Sequence, residues 1–414
     1  EPNKVYTKAY AAVGDKIVLA TDVNRLGYTF RHWSDTTGGV AYDSYTLETA
    51  QDLKLYAQWT ANKYNVTLSF EGGVMDGENT VEVTFDSNFV FPVPKDKNNV
   101  KAFAGWTDAD GKLLTDYTGK GIDNWTMPKE TTLSAKWVDV FEFYQLNNGN
   151  YSITGTYDGI RFLSEVTIPS TYDGKLVEVI EGQAFNAVST LRTINIPDTI
   201  QYVETGIYGI QAGGSAFLSC YNLTNINVYY VIGNHERLYA SCDGILFCKK
   251  GQSSDSEDKI VYAEFTGYLA YRPTTTYTMP SIFEVKIGEP ESAVQNETWR
   301  VTSIAMRAFY NTNNLLTLRI PSTVTSISPY GISYLYNLTT LEFLDAEEGE
   351  TADRLVLEER AVYGLGLLTK LILTTRLKDF AVGQIAYCRI LNDVSFANEG
   401  GDYVVKDNMV CGER

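Results

Sequence analysis

Apolar residues recur at fixed spacing in Ile180–Pro197, IEGQAFNAVSTLRTINIP, and again in Ile304–Pro321, IAMRAFYNTNNLLTLRIP. In both copies a phenylalanine is followed six residues later by a leucine, and then by an alternating apolar and polar run that ends in proline. A third copy starts at Phe217 and has Tyr229 in place of the proline. The two-residue period predicts one short strand per copy. Because such a unit can bury its apolar face only against its neighbour, the pattern predicts a solenoid.

The same strand pattern continues toward the C-terminus of the chain. Two residues that we expect to face the core, Ile320 and Phe343, lie 23 residues apart, and Leu373 and Phe396 have the same separation. A period of this length lies in the range of leucine-rich repeats. The predicted strand segments are Leu191–Pro197, Leu223–Val228, Leu315–Pro321, Leu338–Phe343, Leu368–Leu373 and Leu391–Phe396.

Strand alternation predicts a candidate binding surface. If Ile194 and Ile196 point into the solenoid, then Thr193 and Asn195 point outward, and the same phase applies to every repeat. The candidate ligand face therefore consists of Thr193, Asn195, Asn225, Asn227, Thr317, Arg319, Thr340, Glu342, Lys370 and Ile372, and the same columns continue through Glu165, Thr167, Asp393 and Ser395. Repeat proteins use such extended faces for recognition, although an ordinary solvated sheet face fits the pattern as well.

The N-terminal third of the chain contains a different duplication. GYTFRHW (27–33) aligns with KAFAGW (101–106), and LYAQW (55–59) aligns with LSAKW (133–137). These alignments predict two copies of a small β module, an incomplete one at 1–61 and a full one at 62–139. The tryptophans recur at matched positions, which favours a role in the module cores over stacking on sugar rings.

The first copy carries a recognisable motif: GYTFxxW, the pair Gly38 and Gly39, then Tyr42, then LYAxW. It resembles the internalin-B-type B repeat of bacterial surface proteins, a small β-grasp-like module that occurs in tandem as a stalk. The second copy lacks the glycine pair. The first copy has His32 where the family and Gly105 have glycine, so we expect a strained backbone at His32.

The motif I-x-x-x-A-F followed by L-x-x-I-x-I-P resembles the BspA-like leucine-rich repeat of bacterial surface proteins. Together the two resemblances imply a mainly β chain. Two small β-grasp-like modules precede a leucine-rich-repeat solenoid, which has a short-stranded parallel sheet and covers residues 140–414. A hairpin insert is expected at about 230–299. BspA-like proteins are associated with adhesion to host matrix proteins and to other bacteria.

Charge and hydropathy narrow the classes of partner. The 34 Lys and Arg residues face 51 Asp and Glu residues, giving a net charge of −17 without any basic run. Nucleic acid and anionic membrane are therefore not expected as partners. No run of eighteen apolar residues occurs, so we expect no membrane insertion. Because both ends fall inside repeats, we expect the natural protein to extend beyond them, with its export signal and anchor outside residues 1–414.

The sequence offers little catalytic or metal-binding chemistry. The two histidines, His32 and His235, lie in different modules and have no nucleophile motif beside them. The acidic loop Asp108–Asp116 faintly resembles a calcium loop but lacks the distal glutamate, which favours a solvated turn. We therefore expect no catalytic residue, no metal site and no cofactor.

The five cysteines form no CxxC pair, which argues against zinc and against a disulfide framework. Cys220 is predicted to be a small buried apolar residue. Cys242 and Cys248 are predicted to lie on one face of a strand, where two free thiols are favoured over a disulfide.

The sequence thus predicts a non-enzymatic, monomeric surface or secreted binding protein, an adhesin, that presents its repeat face to a protein or glycan of a host or neighbouring cell. Two alternatives stay open at this point. The region could be the accessory part of a larger secreted hydrolase, or a structural spacer that binds nothing.

Overall fold

The computed structural model describes residues 6–36, 39–206, 210–211, 213–231, 233, 235–253, 260–287, 295–346, 353–400, 402–407 and 409–412; Gly38 of the first module lies outside them. The chain forms two compact units, one of Glu1–Lys97 with Phe103–Trp137 and one of Asn98–Ala102 with Val138–Arg414. The fold is mainly β, as the sequence predicts. Among the described residues the one helical element is a 3₁₀ helix at Asp158–Phe162.

The strands that lie wholly or mainly in the first unit are short and mostly antiparallel. They are β1 (Lys16–Val18), β2 (Tyr28–Ser34), β3 (Ser44–Thr46), β4 (Tyr56–Ala61), β5 (Lys63–Ser69), β6 (Gly73–Val74), β7 (Thr80–Thr84), β8 (Lys95–Asp96), β9 (Lys101–Thr107) and β10 (Thr131–Asp139). Strands β7, β5, β10 and β9 form one sheet in that order, with β5 and β10 parallel. Strands β2 and β4 pair separately.

The aligned aromatic residues occupy the same arrangement in both halves of the first unit. The Phe103 ring lies 5.3 Å from the Trp106 ring and 5.9 Å from the Trp137 ring. Phe30 of the first copy lies 5.7 Å from Trp33 and 5.5 Å from Trp59. Trp106 is fully buried, whereas the other three tryptophans are half-buried. The matched spacing therefore reflects one packing solution used twice.

The expectation of a strained backbone at His32 is wrong. His32 is absent from the residues with positive φ, whereas Gly105 has a φ of +140°. Strand β2 instead shifts its register against β4 between Phe30 and His32. Such a bulge takes up the extra residue in an ordinary conformation, so the first copy does not need glycine here.

The second unit is built from many two- to six-residue strands and a few longer ones. They are β11 (Phe141–Gln145), β12 (Tyr151–Thr156), β13 (Glu165–Thr167), β14 (Thr171–Tyr172), β15 (Lys175–Ile180), β16 (Thr193–Pro197), β17 (Tyr202–Val203), β18 (Asn225–Tyr229), β19 (Tyr239–Cys242), β20 (Ile245–Gln252), β21 (Ile260–Phe265), β22 (Thr276–Thr278), β23 (Ile282–Ile287), β24 (Gln295–Ile304), β25 (Thr317–Ile320), β26 (Ser326–Ile327), β27 (Ile332–Ser333), β28 (Thr340–Phe343), β29 (Leu355–Leu357), β30 (Val362–Tyr363), β31 (Lys370–Leu373), β32 (Leu377–Lys378), β33 (Ile385–Ala386), β34 (Asp393–Phe396), β35 (Tyr403–Lys406) and β36 (Met409–Gly412).

One strand from each repeat stacks on the next to form two ladders. Strands β13, β16 and β18 form the first, and β22, β25, β28, β31 and β34 form the second. Neighbours within each ladder run parallel. Most interior positions are at most 2% exposed, and they include Phe185, Leu191, Ile194, Ile196, Phe217, Leu223, Ile226, Phe309, Leu315, Leu318, Ile320, Leu341, Phe343, Leu371 and Leu373. In the last strand of the second ladder Val394 is 9% exposed and Phe396 is half-buried. Val228, at the edge of the first ladder, is half-buried.

Two further sets of strands close the solenoid. One runs through β21, β24, β26, β29 and β32, and the other through β27, β30 and β33. Each late repeat turns a corner through two residues with φ between 56° and 96°, namely Arg307 and Asn311, Tyr330 and Tyr334, Arg360 and Gly364, Gly383 and Tyr387. The amide of Tyr330 donates to Arg360 O at 3.0 Å, and that of Arg360 to Gly383 O at 2.9 Å. These bonds between repeats offset the cost of a left-handed backbone in non-glycine residues.

The interval from 230 to 299 supplies parts of the solenoid as well as a hairpin. The antiparallel strands β19 and β20 turn at Asp243 and Gly244, which both have positive φ, as a tight hairpin requires. Strand β21 then pairs in parallel with β24, and β22 pairs with β25 as the first strand of the second ladder. The interval therefore contributes one further repeat, with strands β21 and β22, between the strong repeats. We call this repeat the inserted rung.

Candidate functional site

The outward columns predicted from strand phase lie in register. In the first ladder Glu165 is opposite Thr193, and Thr193 is opposite Asn225. In the second ladder one row runs Thr317, Thr340, Lys370, Asp393, and the adjacent row runs Arg319, Glu342, Ile372, Ser395. Because residues two apart on a strand share a face, these rows form two adjoining stripes on one surface.

The first ladder holds its outward side chains in a hydrogen-bonded chain. The Asn227 amide donates to Asn195 Oδ1 at 3.0 Å, and the Asn195 amide donates to Glu165 Oε1 at 2.7 Å and to Thr167 Oγ1 at 3.2 Å. Each amide thus bonds to the preceding repeat. The side-chain amides of Asn195 and Asn227 already donate hydrogen bonds within this surface, so few free donors remain there for a partner.

The second ladder presents charges that are paired yet open to solvent. Arg319 Nε lies 2.8 Å from Glu342 Oε2, and these side chains are 43% and 24% exposed. Lys370 Nζ lies 3.8 Å from Asp393 Oδ2, with side chains 47% and 55% exposed. Ion pairs this exposed contribute about 0–1 kcal/mol to stability, so exchanging one for contacts with a partner costs the fold little. Half-buried Ile372 lies between Glu342 and Ser395 in the row.

Sequence analysis missed two members of this surface, Thr276 and Thr278 of β22. Thr276 lies opposite Thr317, and Thr278 lies opposite Arg319. The signal was present, since Thr276–Pro280 reads TYTMP and matches TLRIP at 317–321 with methionine in place of isoleucine. We call the ten outward residues of the second ladder the ladder face: Thr276, Thr278, Thr317, Arg319, Thr340, Glu342, Lys370, Ile372, Asp393 and Ser395.

The residues weighed for other chemistry have local partners. Asp108 accepts hydrogen bonds from the amides of Asp110 and Lys112, both at 3.0 Å, and a hydrogen bond from the Thr118 hydroxyl lowers the pKa of Asp116. These are turns closed by carboxylates. No group of three or more His, Cys, Asp or Glu side chains within the described ranges could hold a metal ion. His235 Nε2 lies 2.9 Å from Asp198 Oδ1, and these side chains are 9% and 2% exposed.

The cysteines are free thiols. Cys242 and Cys248 do not share a strand face as the sequence predicted, because the turn at Asp243 places them on β19 and β20, where Cys242 is opposite Ile245 and Cys248 is opposite Tyr239. Cys220 is fully buried, as predicted, and its Sγ lies 2.9 Å from Phe185 O. Burial raises the pKa of the Cys220 thiol to about 11.

This shift predicts a pH-dependent loss of stability above the ordinary thiol pKa of 9.0. Below pH 9 the thiol is protonated in both states, so its contribution to stability is complete. Between pH 9 and 11 it ionises only in the unfolded chain, and the free energy of unfolding falls by up to about 1.4 kcal/mol per pH unit. Over this pH range the free energy of unfolding of the unchanged chain should fall by about 2–3 kcal/mol more than that of the Cys220→Ala variant. Urea unfolding from pH 8 to 11 measures both, and parallel curves would contradict the expectation.

No helix in the part of the chain that the structure describes is both long and apolar enough to cross a membrane.

The repeats match a known family. Six copies of the model described as BspA type leucine-rich repeat region match residues 155–242 and 296–400. The leucine-rich repeats and the solenoid predicted from the sequence are therefore confirmed, as is the similarity of these residues to the BspA type.

Relatives share shorter stretches. Internalin H of Listeria monocytogenes is 35% identical over 119 residues, which are 25% of this chain and 21% of that protein. A protein of Evansella cellulosilytica named as a Gly-rich membrane protein is 28% identical over 166 residues, covering 40% of this chain and 18% of its own length. The chain spans about a fifth of the length of the curated relatives it matches. Among solved structures, the pneumococcal vaccine antigen PcpA is 16% identical, with 64% of this chain and 69% of that one covered and a TM-score of 0.31.

Proposed function

We propose that this chain is a non-enzymatic binding region of a bacterial cell-surface or secreted protein, and that its ladder face binds a protein on a host or neighbouring cell. The observation that carries the proposal is the continuous run of outward side chains over five stacked strands, β22 to β34. The similarity of the repeats to the BspA type, and of part of the chain to internalin H, supports an adhesin role.

The chemistry of the ladder face suits a protein surface. Its threonines offer hydroxyl groups that donate and accept, and Arg319, Glu342 and Lys370 offer exposed charges of both signs. Ile372 adds an apolar contact in the same row. A mixed surface of this kind resembles the composition of non-obligate protein interfaces, where electrostatic complementarity selects the partner. The strands themselves hold these groups in fixed positions, which lowers the entropy cost of binding.

The test is a binding screen of the whole chain against host matrix proteins, with a glycan array in parallel. We expect one or more proteins to bind, and the triple variant Arg319→Ala, Glu342→Ala, Ile372→Ala to weaken that binding at least about tenfold, or 1.4 kcal/mol. The matched control is the triple variant Thr325→Ala, Val356→Ala, Lys378→Ala on another set of stacked strands. Thr325 directly precedes β26, Val356 lies in β29 and Lys378 lies in β32. Thr325 is half-buried and the other two are exposed. Binding that survives the first triple variant, or binding to glycans alone, would contradict the proposal, and no binding at all would favour the spacer.

We further propose that residues 1–61 and 62–139 are tandem B-repeat modules of the internalin B type, with a β-grasp-like fold, that act as a stalk. The repeated aromatic arrangement of Phe30 and Phe103 supports this assignment. We propose residues 140–414 as the monomeric recognition domain, with a short-stranded parallel sheet as its binding element and a hairpin insert at about 230–299.

A further inference from the structure

A band of tyrosine rings runs over the surface of the second unit, at the corners through which the late repeats turn. We call it the tyrosine stripe, and it consists of Tyr310, Tyr330, Tyr334, Tyr336, Tyr363 and Tyr387. Neighbouring ring centroids lie 4.9 to 6.1 Å apart. Tyr336 and Tyr387 are 50% and 63% exposed, and the other four are half-buried. The stripe follows β27, β30 and β33 rather than the strands of the ladder face. Contiguous exposed aromatic surface marks a site of interaction.

The tyrosines alternate between two positions, so their arrangement has a period of two repeats. Tyr310 and Tyr363 stand one residue before the second positive-φ residue of their corner, whereas Tyr334 and Tyr387 occupy that second position, with φ of 56° and 59°. Because neighbouring strands lie about 4.8 Å apart, the same arrangement returns after about 9.6 Å along the solenoid. A polyproline II helix has three residues per turn and rises about 3.1 Å per residue, so it repeats after about 9.3 Å. A peptide in this conformation therefore presents the same edge to successive pairs of repeats.

The rings are inclined to one another. The planes of Tyr310 and Tyr334 make an angle of 70°, those of Tyr334 and Tyr363 an angle of 64°, and those of Tyr363 and Tyr387 an angle of 48°. Rings inclined in this way leave clefts between them instead of the flat platform on which a sugar ring stacks. Proline-rich segments bind in aromatic-lined grooves, where each compact proline ring contacts both walls.

The hydroxyl groups of the stripe are placed to donate hydrogen bonds. Partial burial and the neighbouring phenols of Tyr334 and Tyr387 raise the pKa of Tyr363, so its hydroxyl keeps its proton at neutral pH. Arg360 Nη1 donates to the Tyr330 hydroxyl at 2.6 Å, so the proton of that hydroxyl is directed away from the arginine. Proline has no N–H, and a polyproline II helix makes no internal hydrogen bonds, so its carbonyl groups are open acceptors. The donors of the stripe match these acceptors.

Two arginines give the stripe a local positive charge. The guanidinium carbons of Arg307 and Arg360 lie 5.4 and 5.9 Å from the centroid of the Tyr330 ring. Arg360 Nε lies 3.4 Å from Glu359 Oε1, and these side chains are 49% and 77% exposed. A pair this exposed contributes little to stability, so a carboxylate of a ligand can replace Glu359 at little cost. The charge therefore favours a ligand with acidic residues beside its prolines.

We propose that the tyrosine stripe binds a proline-rich, acidic segment of a partner protein in the polyproline II conformation. The segment lies along the solenoid across the late repeats, with proline rings in the clefts between the tyrosines and backbone carbonyls that accept from Tyr330 and Tyr363. This is a second binding surface, and its ligand is independent of the one proposed for the ladder face.

Fluorescence anisotropy with labelled peptides and the whole chain tests this proposal. The probe is a peptide of about nine prolines with glutamates at both ends, long enough for about three turns. We expect it to bind saturably with a Kd on the order of 0.1 mM. A glycine–serine peptide with the same glutamates should bind at least about tenfold more weakly, because more of its conformational freedom is lost on binding. Lysines in place of the glutamates should weaken binding at least about threefold at low salt.

Variants of the chain locate the site. Tyr363→Ala removes the ring that contacts Tyr330, Tyr334 and Tyr387, and it should weaken binding at least about tenfold. Tyr363→Phe keeps the ring and removes only the donor, so it should weaken binding about threefold. The matched control is Tyr144→Ala in β11, where the side chain is 63% exposed, and it should leave binding unchanged. The triple variant of the ladder face should also leave it unchanged, which separates this test from that of the proposed function.

Several outcomes would overturn the proposal. The folded protein could fail to bind the glutamate-flanked proline peptide, or could bind the glycine–serine peptide equally well. An oligosaccharide of N-acetylglucosamine that binds in place of the proline peptide, and is lost in Tyr363→Ala, would assign the stripe to a glycan. Peptide binding that survives Tyr363→Ala would place the peptide elsewhere. If circular dichroism shows that Tyr363→Ala does not fold, Tyr336→Ala at an exposed position takes its place and should weaken binding at least about threefold.

Discussion

Replacing Phe309 with alanine should lower the free energy of unfolding of the second unit by about 3–5 kcal/mol, the usual cost of removing a buried phenylalanine. Phe309 is fully buried, and its ring stacks on Phe265 at 4.7 Å and on Tyr268 at 5.8 Å. Phe265 ends β21, in the interval between the strong repeats, so the Phe309 ring joins that rung to the next one. The variant loses this contact and leaves a cavity that rigid neighbouring strands cannot close.

Hydrogen exchange read by mass spectrometry measures this loss by region. Peptides from β21 to β28 should exchange faster in Phe309→Ala, while peptides from the first unit serve as the internal control. The matched variant is Leu316→Ala, seven residues further along and 44% exposed, which should cost less than about 1 kcal/mol. Equal protection in Phe309→Ala and the unchanged chain would contradict the central role of this ring in packing between repeats.

The residues in the interior of the repeats could be predicted from the sequence because two constraints acted together. A fixed repeat length sets which residues stack, and the two-residue period sets which of them face inward, so Ile194 and Leu318 could be placed without coordinates. The same phase placed Arg319 beside Glu342 across two repeats. The inserted rung at β22 could not be recognised from the repeat pattern, because Tyr277 and Met279 replace the expected leucine and isoleucine. The hairpin of β19 and β20 also interrupts the repeat period before it.

The cluster of side chains around buried Asp198 could not be predicted from the sequence. Asp198, Arg237 and Trp299 are far apart in the chain and belong to no repeating position, and no motif links them. They meet because the β19 and β20 hairpin folds beside the end of the first ladder. The location of a residue at a repeating position can be predicted from the solenoid pattern. The neighbours of a residue outside the repeat pattern are known only from the tertiary structure.

The two N-terminal copies show how one aligned position can have two backbone solutions. His32 sits beyond a bulge in an ordinary conformation, while Gly105 adopts a φ of +140° that other residues rarely take. A side chain at Gly105 would also meet neighbouring atoms, since a Cβ there would lie 2.3 Å from Thr115 O and 2.7 Å from Leu113 Cδ2. The presence of His32 in the first copy therefore does not indicate that Gly105 of the second copy can be replaced by another residue.

Gly105→Ala should accordingly destabilise the first unit by about 3–5 kcal/mol. Roughly 1–3 kcal/mol arises from the left-handed backbone and a similar amount from overpacking against the Thr115 carbonyl. The adjacent amide of Trp106 donates to Thr115 Oγ1 at 2.8 Å, so moving the strand to relieve the collision would break that bond. Five of the six tryptophans belong to this unit, so urea unfolding followed by tryptophan fluorescence measures its stability.

Gly111→Ala separates the two causes. Gly111 has a φ of +78° but open space around the position of a Cβ. It should therefore carry only the backbone cost, about 1–2 kcal/mol. If Gly105→Ala were no more destabilising than Gly111→Ala, the approach of Thr115 would not be what reserves this position for glycine, and the bulge of the first copy would be an equally available solution in the second.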